Sequence, residues 1–307
     1  MKNIFRYIKE VFREFSADNI LKYSASLAYY TVFSVAPILL IIISLSGVLF
    51  GKEAIQGQIF KELNGLIGAV AALQIQNMIR SIHLTGNSFA ASVGSVVLLF
   101  IAATTIFGEI QDSLNKIWGL KIKPKRVWWK LILTRLISFS LIISIGIIMS
   151  ISLLLNAVIA AFGRFIGRYF ENYSVYLIEI INDTLSFLIS AFLFSLLFKM
   201  LPDAKIKWKD VIIGGLFTAV FFILGKLGIG FYLGRSNLAS LYGAAGSIII
   251  FMLWVYYCSV ILYLGAEFTK VYANLYGGKI TPNDFAEWVK LEEKPVSAPY
   301  LKNKDLP

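Results

Sequence analysis

The sequence predicts an all-α polytopic membrane protein with six transmembrane helices, both termini cytoplasmic, and amphipathic helices at the interface. Three observations carry that expectation. Hydrophobic residues make up 58% of the 307 positions and charged residues 15%, against roughly 45–50% and about 25% in soluble domains. Six apolar stretches are each long enough to cross a hydrocarbon core, which takes about 20 helical residues. Lys and Arg fall unequally on alternate connecting segments, as the positive-inside rule requires of a protein that threads a membrane repeatedly.

Residues 1–16 place Ile4, Phe5, Ile8, Val11, Phe12 and Phe15 at helical spacing, with Lys2, Arg6, Lys9 and Arg13 between them. Such a basic amphipathic helix suits an anionic headgroup layer; packing against the bundle is an equally open reading. The first span runs from Ser24 to Phe50. In 52–84, apolar residues recur every three or four positions, which predicts one or two amphipathic helices at the outer surface. The remaining spans are read at Phe89–Phe107, Leu131–Phe162, Tyr176–Phe198, Val211–Leu233 and Gly243–Phe268. The third is longer than the core is thick and must tilt, kink or protrude. From Thr281 the chain is polar and proline-rich, and is expected to be poorly ordered. The division is therefore a basic N-terminal helix (1–23), a six-span membrane domain (24–270) and a polar cytoplasmic tail (271–307).

Orientation follows from charge. Segments on one side carry 21 Lys and Arg, those on the other carry 6, counting all but Arg135 and Lys226. That places both termini in the cytoplasm. The same distribution explains the net charge of +11 as topology and contact with anionic lipid, and excludes nucleic acid as the expected partner. Trp118, Trp128, Trp129 and Trp208 stand near inner span ends, where indoles favour the interface. The first apolar stretch lacks a small-residue cleavage site and reads as a retained span, not a signal peptide. Cys258 is the single cysteine, so neither an internal disulfide nor a Cys-x-x-Cys metal site is available. No metal or cofactor is expected. The sequence shows no internal repeat of the kind many secondary transporters carry.

Three segments have a specific texture. In Ser26–Leu40, polar Tyr29, Tyr30, Thr31 and Ser34 precede Pro37 within the first span. A proline there frees a carbonyl one turn earlier and kinks the helix, and the hydroxyls can satisfy it or line a pathway. In Phe107–Gly119, Glu109, Asp112 and Asn115 are spaced i, i+3, i+6, so they share roughly one helical face at the inner end of the second span. Paired carboxylates there suit a cation or a proton relay, while a hydrated helix end is the plainer reading. The third is the Leu201-Pro-Asp loop and the two spans after it. Gly230 and Gly234, and Gly243 and Ser247, are four-residue pairs of small residues that permit close helix contact. Whether Tyr242–Ser247 packs or opens a short re-entry stays open.

Lys226 stands apart. It is read near the middle of the fifth span, where a lysine costs about 2.5–3.5 kcal/mol to insert. Asp183, Glu109 and Glu267 are its candidate partners; snorkelling to an interface is the alternative.

Together these segments resemble the YihY/BrkB family of bacterial inner-membrane proteins. The matching elements are Ala28-Tyr-Tyr-Thr with Ser34 and Pro37, Asn115-x-Ile-Trp118, Leu201-Pro-Asp, and Tyr242-Gly-Ala with Trp254 and Gly265-Ala-Glu267, covering residues 10–275. The resemblance implies six spans, the bacterial cytoplasmic membrane, and links to virulence and to lipid or envelope-precursor movement. It supplies no catalytic residues. An older family label, ribonuclease, disagrees with the chain: a metal-dependent nuclease needs clustered ligands, and His83 is the single histidine.

The expected function is a transporter or flippase of an amphiphilic, anionic, lipid-like substrate, along a pathway drawn from Lys226, Glu109, Asp112, Asn115, Asp183, Glu267, Tyr30 and Ser34. No Walker A sequence is present. The alternative is a non-transporting scaffold that recruits envelope-assembly partners, or further copies of itself, through basic loops and tail. No Ser/His or paired-Asp arrangement points to an enzyme. Membrane lipids are the expected partners.

Overall fold

The computed structural model describes residues 2–34, 105–123, 174–235 and 246–289, with isolated residues between them. In chain order the elements are α1 (Lys2–Ala17), α2 (20–34), α3 (105–117), β1 (Leu120–Ile122), α4 (Ser174–Met200), β2 (Ala204–Lys205), α5 (Trp208–Arg235), α6 (Gly246–Leu275), β3 (Thr281–Pro282) and β4 (Ala286–Trp288). Ile180–Met200, Trp208–Ile229 and Ile248–Leu275 are long and apolar enough to cross a membrane. They correspond to the last three expected spans. Pro37, the 52–84 segment apart from the helical Leu73, and Trp128 and Trp129 lie outside the described residues. So does most of the first three spans.

Local chemistry sets the helix ends. α4 stops at Met200 because Leu201 precedes Pro202, which disfavours helical backbone at the residue before it. Asp210 in the first turn of α5 opposes the partial positive charge of that terminus. α3 ends at Gly119, whose φ of 68° is a left-handed conformation that glycine adopts without a Cβ penalty. At the close of α6 the Gly277 amide donates to Tyr272 and Ala273, and the Lys279 amide donates to Ala273 at 3.0 Å.

α4, α5 and α6 pack antiparallel in sequence. The α5–α6 crossing is built from two matched pairs. A Cβ on Gly214 would fall 1.8 Å from Thr269 Oγ1, and one on Gly265 would fall 1.9 Å from Thr218 Oγ1. Each threonine hydroxyl donates to a carbonyl four residues back in its own helix, Thr218 to Gly214 and Thr269 to Gly265, both at 2.7 Å. The hydroxyls are thus satisfied internally and the backbones approach through the glycines, as in membrane helix pairs with small residues at the interface. Gly215 packs in the same way against Ala191 and Ser195 of α4. These contacts lie about three to six turns before Gly230 and Gly234. The surroundings of Gly230, Gly234, Gly243 and Ser247 fall outside the described residues.

On the outer side of α5, Ile212, Leu216, Val220, Leu224 and Leu227 form an exposed stripe at helical spacing. A stripe of that extent is unusual on a soluble monomer and suits lipid. The main core lies at the opposite side, toward the end of the bundle where α3, α4 and α6 finish and α5 starts. We call this end the base. Ile20, Leu114, Ile117, Trp118, Phe198 and Leu201 are buried there. A smaller cluster higher up joins Phe222, Trp254 and Ile261.

Two short antiparallel ladders close the base. β1 pairs with β4, Leu120 opposite Trp288 and Ile122 opposite Ala286. β2 pairs with β3, Ala204 opposite Pro282. Residues 281–289 are therefore folded onto the bundle, which corrects the expectation of disorder from Thr281; α6 itself runs on to Leu275. Trp118 also departs from expectation. It is 2% exposed, and its indole N–H donates to the Ala266 carbonyl at 3.2 Å, so it is a core residue, not an interfacial one. α1 docks by one face: the Tyr7 hydroxyl donates to the Phe268 carbonyl at 2.9 Å and Val11 is buried, while Ile8 and Phe12 face outward.

The crossing makes a paired prediction. Gly214→Ala should destabilise the protein by about 1–3 kcal/mol through overpacking. Gly228→Ala meets nothing within 4 Å and should be neutral or stabilising by up to about 1 kcal/mol. Thermal denaturation in detergent reads both, and equal midpoints would contradict the crossing.

Candidate functional site

Two buried polar clusters occupy the base. The first centres on Asp203, 5% exposed, in the loop that Pro202 opens. Its Oδ2 accepts from Asn115 Nδ2 at 2.7 Å, and its backbone N–H donates to Asn115 Oδ1 at 2.8 Å. Gln111 Nε2 and Asn283 Nδ2 each lie 3.4 Å from Oδ1, and the Asn283 amide donates to the Asp203 carbonyl at 3.0 Å. Three side-chain amides thus solvate one carboxylate. That neutral shell makes a buried charge tolerable, and it ties α3, the α4–α5 loop and the C-terminal strands to one point.

The second cluster joins α1 to α6. Lys270 Nζ lies 2.9 Å from Glu14 Oε2, 3.1 Å from Asp18 Oδ2 and 3.3 Å from Glu267 Oε2. One oxygen from each of the three carboxylates lies within 4.8 Å of the others. Glu267 is fully buried, and neither of its oxygens makes a hydrogen bond. Arg13 meets Glu14 at 3.2 Å on the exposed side. Burial opposes ionisation of Glu14, but the hydrogen bond and charge of Lys270, with help from Arg13, outweigh it and hold the carboxyl below its ordinary range. Burial likewise pushes the Tyr7 hydroxyl up, with Tyr272 and Tyr276 adding to it, so Tyr7 stays a donor. A cavity of about 230 Å³ opens beside the cluster, lined by Arg6, Glu10, Glu14, Lys270, Val271 and Asn274 among others.

The structure separates residues that spacing grouped. Asn115 is buried, Glu109 half-buried and Asp112 exposed, so the three do not converge. Asn115 belongs to the Asp203 network. Ser34 is buried, Tyr30 is at the edge of exposure, and Thr31 donates to the Leu27 carbonyl. Lys226 stands in the far half of α5, nine residues before its end at Arg235. Gly225 beside it lies against Tyr257, and Glu267 is ten residues farther along α6. That is about 15 Å at 1.5 Å per residue, beyond the reach of the two side chains, so Glu267 is not the partner of Lys226. The α4–α5 contact at Gly215 with Ala191 and Ser195 instead brings Asp183 to the height of Lys226.

Lys270, Glu14, Asp18 and Gln111 were not singled out by the sequence, and Asp203 figured there only as the last residue of the Leu201-Pro-Asp motif. Lys270 counts there only toward topology, although its i, i+3 spacing from a carboxylate within an apolar helix was a usable signal.

The elements that converge on the base are those carrying the family resemblance: Asn115 and Trp118, Leu201-Pro-Asp, and Gly265-Ala-Glu267. The model of the family described as virulence factor BrkB matches residues 11–286. The chain belongs to the BrkB family. Relatives named UPF0761 membrane protein include one from Stenotrophomonas maltophilia (strain R551-3), 26% identical over 85% of this chain and 59% of the relative. Another, from Vibrio parahaemolyticus serotype O3:K6, is 27% identical over 86% of this chain and 81% of the relative. The chain spans about 59% of the length of the first relatives it matches. No solved structure matches. As a BrkB-family chain with these helices, it is a multi-pass bacterial membrane protein.

Two predictions follow from the clusters. Asp203→Ala leaves buried amides of Asn115, Gln111 and Asn283 without their acceptor and should cost about 2–4 kcal/mol, read as a lower denaturation midpoint. Glu14, whose carboxyl titrates below its unfolded range, contributes docking of α1 that is complete above that range. The contribution is lost as pH falls through the depressed one. Hydrogen exchange of the α1 amides should therefore accelerate on acidification, and Glu14→Gln should remove most of that dependence.

Proposed function

We propose that the bundle moves an amphiphilic, anionic, lipid-like substrate, as a transporter or flippase with six spans and both termini in the cytoplasm. The observation that carries the reading is the placement of Lys226. It is half-buried on α5 between Leu224 and Leu227, which are 58% and 65% exposed. An ammonium set in an otherwise lipid-facing surface can meet an anionic headgroup while acyl tails stay in the bilayer. Such intramembrane charges mark substrate pathways more often than they serve packing. Asp183 at the same height offers a counter-charge that a passing headgroup would replace. With no nucleotide-binding sequence, movement would be passive, gradient-driven or powered by a partner, and no enzymatic step is assigned.

A scaffold reading draws on the folded basic platform of β1 to β4, with Lys121, Lys123, Lys205 and Lys279 at its surface. It would engage envelope-assembly partners or a second copy of the chain. It requires intramembrane substitutions to be silent and reversals of these charges to be disruptive.

The test is lipid translocation in proteoliposomes with headgroup-labelled anionic and neutral lipids. Lys226→Ala should reduce anionic-lipid movement by at least about tenfold, the loss of roughly one strong charge-assisted contact, with the denaturation midpoint unchanged. Full activity in that variant removes Lys226 from the mechanism. Translocation absent from the folded wild-type protein, together with loss of partner capture on reversing Lys121 and Lys123, would favour the scaffold.

A further inference from the structure

We propose that Glu14, Asp18 and Glu267 form a site for a hard divalent cation, with the Lys270 ammonium as its built-in competitor. Such a site would stand whatever the bundle moves. Three carboxylates from three turns of chain converge on one point, their nearest oxygens within 4.8 Å of each other. The described cations that meet them are Lys270 at the centre and Arg13, which meets only Glu14 of the three, is shared with Glu10 and is 65% exposed. The cluster therefore sets three acidic side chains against one central ammonium in a place where Glu267 is wholly out of water.

Glu267 is the second, independent observation. Its side chain is 0% exposed and aimed into the cluster, yet both oxygens lack a hydrogen bond. Lys270 lies 3.3 Å away without a hydrogen-bonding alignment to it, having turned its N–H groups to Glu14 and Asp18. A buried carboxylate left in that condition is costly, and a cation that accepts lone pairs from any direction would satisfy it better than a three-donor ammonium.

The geometry suits such an ion. Nζ sits 2.9–3.3 Å from one oxygen of each carboxylate, so it marks the centre of the ligand set. Ca²⁺ takes oxygen ligands at about 2.3–2.6 Å in irregular arrangements, so the carboxylates need close in by only about half an ångström to one ångström. All the donors are carboxylate oxygens, the ligand type preferred by hard divalent cations over softer metals. The adjoining cavity gives access to a hydrated ion, and it gives Lys270, one of its lining residues, room to retract toward Glu10.

Because Glu14 and Asp18 stand in and just after α1 while Glu267 stands in α6, the bound ion would clip the N-terminal helix to the last span. A flexible lysine arm would give way to a tighter cross-link. The site would thus connect divalent-cation concentration to the position of the amphipathic helix.

The experiment uses purified full-length protein in detergent and the electron paramagnetic resonance signal of unbound Mn²⁺ as the probe. Saturable binding of about one Mn²⁺ per chain is expected, displaced by Ca²⁺, with hydrogen exchange of the α1 amides slowed in its presence. Lys270→Met should bind about tenfold tighter or better, because its competitor is gone. Glu267→Gln should bind about tenfold weaker or worse, in line with the loss on perturbing a metal site. Asp18→Asn carries the same prediction on a partly exposed residue and serves if Glu267→Gln does not fold. Absence of saturable binding in both wild type and Lys270→Met overturns the proposal. Binding confined to Lys270→Met does so as well, since the ammonium would then be the permanent occupant. Unchanged affinity in both Glu267→Gln and Asp18→Asn would place any bound Mn²⁺ elsewhere.

Discussion

The close crossing of α5 and α6 is the constraint on which the other placements depend. Where Gly214 meets Thr269 and Gly265 meets Thr218, there is no volume for a side chain on either side, so the register of the two helices is set to within a residue. In lipid no hydrophobic force pulls apolar helices together, and association relies on packing and hydrogen bonds. A crossing of glycines flanked by self-satisfied threonines supplies the packing without stranding a polar group. Every height along the bundle is then determined. Glu267 and Lys270 fall at the base, opposite α1, and Lys226 falls in the far half of α5, next to the Gly225–Tyr257 contact.

That register sorts the charges into two populations with different physics. At the base, Asp203 is solvated by three neutral amides from two segments, while the three acidic side chains around Lys270 meet its charge. The amide shell is the more complete: its donors are fixed by α3 and the C-terminal strands, and the Asp203 backbone joins the same network. The Lys270 cluster is held by one long side chain and leaves Glu267 short of hydrogen bonds. A network satisfied throughout rigidifies its surroundings, whereas one satisfied in part carries the cost of its unpaired buried groups. The Asp203 site therefore anchors the loop and the strands, and the Lys270 site is the less completely satisfied of the two.

Helices, polarity and the membrane setting were legible in the sequence because length and apolar content suffice to identify a span. The fourth and fifth spans came out within three residues of the ends of α4 and α5, while α6 runs seven residues past the expected Phe268. α1 was legible as amphipathic, but its docking was not, since Tyr7 and Val11 look the same facing lipid or facing Phe268. The folded strands after α6 were missed for a different reason. Thr281–Pro282 and Ala286–Trp288 are too short to carry periodicity, and each is ordered only by a partner far away in sequence, β2 or β1. The site residues were half-legible. Asn115, Trp118 and Glu267 stood out as polar or aromatic exceptions in apolar helices, and Asp203 as part of the Leu201-Pro-Asp motif, whereas Glu14 and Asp18 lie in a hydrated segment where a carboxylate is unremarkable. Pairing Lys226 with Glu267 failed because a sequence does not carry the relative height of two helices.

The same crossing limits how the protein can move. Sliding α5 along α6 by one residue would bring Thr218 from Gly265 against Leu264 or Ala266, and Gly214 and Thr269 would lose their fit together. Each such overlap costs about 1–3 kcal/mol, and the two occur at once. The pair is thus a single body from the base up to at least the Gly225–Tyr257 contact. Any rearrangement that exposes Lys226 to one side of the membrane or the other must come from elements that pack against this body through larger and softer side chains. α1 is such an element. It is joined to α6 by a lysine arm, one tyrosine hydroxyl and an aromatic edge, all of which can be released without opening the glycine contacts.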